Sequence, residues 1–216
     1  MNSSFLKSVL KLSTFSIVGQ LSSVVALPLI TRMFTPDEFG VYSFFVTLVT
    51  LIGVLATGMY HRVILITNDS EEADQLFFLV LFISLVVGFL SFFAVHVATV
   101  FNFLKNDNVT LAFFSEALFL ALVLYASSQA LYLWNNRSAH YNLMGASSLC
   151  RDVVASVSKL AFGYFGILKF GLVYGFLIAQ LTFFIFLFSY SVFNNLCRIF
   201  HNKFKYLKHR FFYLIC

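Results

Sequence analysis

Five histidines, three cysteines, nine acidic and fourteen basic side chains are the groups with which this 216-residue chain could do chemistry. An enzyme would need some of them gathered as paired carboxylates, a histidine beside an acid, or a metal-binding set. His61, His96, His140, His201 and His209 are scattered, and no H-x-x-x-x-D or H-E-x-x-H pattern occurs. Cys150, Cys197 and Cys216 form no CxxC and no cluster with histidine, so neither a disulfide framework nor a zinc site is expected, only free thiols. The chain is therefore expected to be no enzyme and to use no metal or other cofactor. What remains is basic. Lys159 lies inside an apolar stretch, and Arg32, Arg62 and Arg137 end others. Several cations around one bundle with few acids would suit an anionic ligand such as a diphosphate headgroup. The competing use is anchoring at a membrane interface for the arginines and snorkelling for the lysine. Arg151 stands beside Asp152 and is expected to be neutralised there, so it is set aside as a ligand-binding group.

These cations need a scaffold, and the composition says which kind. Hydrophobic residues make up 60% of the chain and charged ones 11%, with a mean hydropathy of +0.90. A soluble domain carries about a quarter charged residues, and it needs them to cover its surface. The segments are apolar all round for about 20 residues, the mark of membrane helices and not of barrel strands. The fold class expected is an all-α integral membrane protein, a bundle of about six transmembrane helices over 9–31, 41–60, 76–101, 111–134, 148–168 and 172–193. Residues 1–195 form this lobe and 196–216 a basic, aromatic tail. On these boundaries Lys159 falls near the middle of the fifth span. The first apolar run is too long for a secretory signal and lacks a small-residue cleavage site, so it reads as a retained helix.

The formal charge of +5 does not point to nucleic acid, because the basic residues sit at the ends of the spans. Ten lysines and arginines fall on one set of ends and loops, and Arg32, Lys105 and Lys169 on the other. With an even number of spans, both termini are then expected in the cytoplasm. The one acidic loop, 68–74, precedes the third span, where a helix start favours its charges and Asp69 or Ser70 could cap it. Gly171 and Gly175 form a GxxxG at the mouth of the sixth span, just after Gly163 and Gly166, and are expected to let backbones approach. The 30 phenylalanines read as lipid-facing bulk.

Three stretches resemble a known family. Leu27-Pro-Leu-Ile-Thr-Arg-Met-Phe-Thr-Pro-Asp-Glu-Phe-Gly-Val-Tyr-Ser-Phe-Phe45 resembles the first-to-second helix junction of Wzx-type O-antigen and capsule flippases, polysaccharide transporters of the multidrug/oligosaccharidyl-lipid/polysaccharide exporter superfamily. In it Pro36 would start the next helix, Asp37 and Glu38 would sit in its positive first turn, and Gly40 would allow close packing. The run from Tyr60 to Asp74 resembles the family's loop after the second helix. The run from Gln129 to Arg137, with the fifth span and Gly171 to Gly175, resembles its fourth-to-sixth helix region.

The resemblance implies one lobe of a two-lobe exporter in the bacterial inner membrane, moving undecaprenyl-diphosphate-linked oligosaccharide between leaflets by alternating access. It implies substrate contacts at Arg32, Arg62 and Arg137, the positions with a family counterpart, whereas Lys159 rests on its burial alone. The partners implied are the lipid-linked oligosaccharide, membrane lipids, the polysaccharide polymerase machinery, and either a second copy of the chain or a carboxy-terminal lobe. Six spans would relate two such lobes by an axis along the membrane normal. The alternatives are a non-transporting membrane subunit or inactive fragment, with cations scattered toward lipid, and a drug/cation antiporter, which would need a buried acid within a span. Glu116, in the fourth expected span, falls only near an outer end.

Overall fold

The computed structural model describes residues 3–57, 70–100, 108–137, 140–167 and 170–191. Among the described residues there are six helices and no strand: α1 (Ser3–Met33), α2 (Pro36–Thr57), α3 (Ser70–Val100), α4 (Asn108–Arg137), α5 (Tyr141–Tyr164) and α6 (Phe170–Ser191). The all-α membrane bundle expected from composition is what forms. Five of the helices are long and apolar enough to cross a bilayer, and α5 is the exception. It carries Arg151, Asp152 and Lys159 and opens on Tyr-Asn-Leu-Met-Gly-Ala-Ser. A helix screened by its neighbours has no need to be apolar all round.

Local chemistry sets the ends. At the start of α2 the Thr35 N–H donates to Glu38 Oε2 (2.7 Å) and the Glu38 N–H donates to Thr35 Oγ1 (3.4 Å). This is a reciprocal capping box with Pro36 at the first helical position, where its missing N–H costs nothing. Gly40, expected to permit close packing, is exposed, and a methyl group there would meet nothing within 4 Å. The α5 end closes on Gly166 at φ 73°, with the Gly166 N–H on Gly163 O (3.2 Å) and the Ile167 N–H on Phe162 O (3.0 Å). That pattern needs a left-handed residue, so Gly166→Ala is expected to cost about 1 kcal/mol, read as a lower unfolding midpoint in detergent. Within the helices, hydroxyls bond to carbonyls one turn back, as Thr47 does to Ser43 O (2.7 Å) and Ser128 to Leu124 O (2.6 Å). In lipid this satisfies groups that have no water to turn to.

Packing runs as an up-and-down bundle. Phe15 meets Gly145, Gly19 meets Asp152, Ser23 meets Ser156 and Met33 meets Gly163, so α1 and α5 run parallel in close contact. Phe77 beside Trp134 and Gly88 beside Phe119 make α3 and α4 antiparallel. The helices α4 and α6 hold the centre, being about half buried, while α1, α2 and α3 show most of their surface. Phe45 of α2, Leu118 and Leu122 of α4, and Val173 and Leu177 of α6 form the main core. Phenylalanine therefore does two jobs. Phe78, Phe82, Phe89 and Phe93 lie exposed along one side of α3, as lipid-facing bulk should, but Phe45 is fully buried edge-on to Phe114 and Phe176.

Since lipid tails are as apolar as leucine, helices in a bilayer associate through close approach. The contact of α1 with α5 shows the means: Gly19 lies against Asp152, Ser23 against Ser156 and Phe15 against Gly145. A methyl group at Gly145 would collide with the Phe15 ring. Gly145→Ala is thus expected to destabilise the bundle by about 1–3 kcal/mol, measured by thermal unfolding in detergent.

Candidate functional site

The sequence-expected cations do not gather in one place. Arg32 is exposed in the last turn of α1. Lys159 is half-buried near the same end of the bundle, five residues before α5 ends. It is not in the middle of a span, because α5 begins at Tyr141 and not at 148. Arg137 is half-buried in the last turn of α4, at the opposite end, next to His140 and the start of α5. The helical rise alone puts about 27 Å along the axis between that start and Lys159. Arg62 and the loop 58–69, with Asp69, lie outside the described residues, and so does the tail from 192.

Lys159, on α5, is held by two other helices. Its stem crosses Gly175 of α6, where a methyl group would lie 2.6 Å from Lys159 Cγ. Its ammonium donates to Tyr42 Oη of α2 (2.8 Å) and sits 4.4 Å from the centre of the same ring. The second glycine of the GxxxG therefore does serve packing, and what it admits is a charged side chain. Gly171 meets Phe162 of α5 and Phe34. Among the described residues no carboxylate comes within ion-pair distance of Lys159; an ion pair lies elsewhere on α5.

That pair is Arg151 and Asp152, the eleventh and twelfth of the 24 residues of α5, and so at its mid-length. Arg151 Nε donates to Asp152 Oδ1 at 3.0 Å. The guanidinium lies 5.0 Å from the centre of the Phe183 ring of α6. Tyr132 of α4 packs on the same ring, with centroids 6.1 Å apart. The other carboxylate oxygen, Asp152 Oδ2, rests against Gly19, where a methyl group would be 2.8 Å away. The expectation that Asp152 neutralises Arg151 holds. Setting the pair aside missed its position: charge at the mid-length of a membrane-bundle helix is costly and marks function more often than anchoring. The signal is in the sequence, in two adjacent charges within a weakly apolar stretch; the expected span start at 148 puts them at an edge, whereas α5 begins seven residues earlier, at Tyr141.

With three side chains of opposite and unequal charge set among apolar membrane helices, this is a multi-pass α-helical membrane protein with a polar seam on one helix. Residues 29–213 match the family described as "Polysaccharide biosynthesis protein", and the chain belongs to that family. The match takes in the capped junction at Pro36, the polar helix α5 and most of the basic tail. No curated protein matches the chain. No solved structure matches it.

Proposed function

We propose that this chain is a transporter, not an enzyme, and that it moves lipid-linked oligosaccharide across the bacterial inner membrane for surface polysaccharide such as O-antigen or capsule. The observation that carries the reading is the seam of α5, where Arg151, Asp152 and Lys159 are retained within a bundle of strongly apolar helices. Membership of a polysaccharide biosynthesis family narrows the ligand to the sugar intermediates of that pathway, which in the membrane travel on a lipid diphosphate. A diphosphate headgroup has to pass the middle of the bilayer, where only such a seam offers it donors. The lysine and arginine counts support an arrangement with both termini in the cytoplasm, and a second lobe, from another copy or a further chain segment, would close the seam from lipid.

A second reading, a membrane subunit that packs without transporting, is favoured by one observation: Arg137 lies at the opposite end of the bundle from Arg32 and Lys159. Complementation separates the two. The chain, alone and joined to a matching carboxy-terminal lobe, is expressed in a bacterium lacking its O-antigen or capsule flippase. Restored surface polysaccharide in either form is expected; absence in both, at normal membrane levels, would reject transport.

A further inference from the structure

We infer that Arg151 and Asp152 form an exchange site. An oxyanion of the phosphate class takes the guanidinium from Asp152, and the displaced carboxylate loosens α1 from α5. The inference rests on the transport reading for the nature of the anion.

Three observations carry it. The pair is joined by one hydrogen bond through Nε, and among the described residues the terminal nitrogens of Arg151 have no protein acceptor, while the side chain is 35% exposed. A phosphate offers two oxygens to those nitrogens in the forked geometry that guanidinium favours, and so competes well with a carboxylate held by a single bond. Secondly, adjacent residues on a helix do not face each other. Arg151 turns to Phe183 of α6 and Asp152 to Gly19 of α1, so the helix itself does not enforce the pair. Thirdly, the Asp152 carboxylate spans both contacts, with Oδ1 on the guanidinium and Oδ2 against Gly19.

The consequence is a linkage. Once an anion holds Arg151, the carboxylate is left charged against the backbone of α1 without its cation. A charge in that position must reach water or move its neighbour. The contact next to it is weak, since Ser156 Oγ meets Ser23 Oγ at 3.4 Å. An anion that binds better to the opened arrangement shifts the population toward it, by as much as its affinities for the two differ.

The Ser23–Ser156 contact supplies the reporter. With Cys150, Cys197 and Cys216 changed to serine, Ser23→Cys and Ser156→Cys place two thiols where a disulfide can form. The rate of oxidative cross-linking is followed in the full chain in phosphatidylcholine vesicles, with inorganic pyrophosphate, with undecaprenyl diphosphate, or with neither. At saturating anion the rate is expected to fall about fivefold or more, and to be unaffected in Arg151→Gln. Asp152→Asn keeps the shape without the charge, and should reduce the effect below about twofold. An unchanged rate with both anions overturns the inference, as does an equal fall in Arg151→Gln. A response to pyrophosphate supports it with the oxyanion alone as sufficient ligand; a response to the lipid form only supports it with the headgroup as ligand. Complementation without any effect on cross-linking removes the exchange and leaves transport standing, and the reverse result removes transport and leaves the anion site.

Discussion

Asp152→Ala is expected to lower the stability of the bundle by about 2 kcal/mol; a fully buried pair broken on one side loses roughly 3–5 kcal/mol, and this one is partly open. The loss does not come from the missing bond itself. Arg151 would remain at the mid-length of α5 with its charge against Phe183 and no carboxylate, and the groove over Gly19 would be empty. Removing both charges together should therefore be milder than removing one. Arg151→Met with Asp152→Ala is expected to recover at least half of the loss, because no isolated charge is left behind. Folded protein in detergent, followed by size-exclusion recovery after heating, gives the comparison. If the double variant is as unstable as Asp152→Ala, the carboxylate acts through its packing on Gly19 and not through the charge of Arg151.

The same reasoning explains what was legible in the sequence. The count and order of the helices could be read there because five of them meet lipid, and lipid contact demands long apolar runs. Pro36, followed by two acids, gave away the start of α2, and Gly171 with Gly175 a close helix contact; both are as expected. Gly40 belongs to the same stretch, but a methyl group there would meet nothing within 4 Å, so the close packing expected of it does not form. The fifth helix was drawn late because its first turns are screened by α1 and by the ends of α4 and α6, and screened residues leave no apolar signature. That single displacement put Lys159 at mid-span and Arg151 at the edge, the reverse of what the helix does. Tyr42 and Phe183 could not have been found at all. Each lies on a different helix from the charge it serves, and neither differs by type or spacing from the many aromatics around it.

Lys159→Met is expected to leave the protein in the membrane at its normal level and to cut restored surface polysaccharide at least about tenfold, a loss of some 1.4 kcal/mol or more in the effective barrier. Methionine retains an unbranched stem to lie across Gly175, so the packing of α5 on α6 survives while the ammonium is lost. Tyr42→Phe asks which part of the tyrosine matters. It removes the Oη that accepts from Lys159 at 2.8 Å and keeps the ring 4.4 Å from the charge, so a smaller effect of about threefold is expected if the ring carries part of the hold. Arg32→Ala, exposed in the last turn of α1, should change the same readout by less than about twofold, as an interfacial anchor would. Gly175→Ala supplies the structural contrast. Its new methyl group would lie 2.6 Å from Lys159 Cγ and 3.2 Å from the Lys159 backbone nitrogen, forcing α5 from α6, so the membrane level itself should fall. A normal level in Lys159→Met with normal polysaccharide would make the lysine a bundle clasp only. A normal level with lost polysaccharide puts its charge in the path of the substrate.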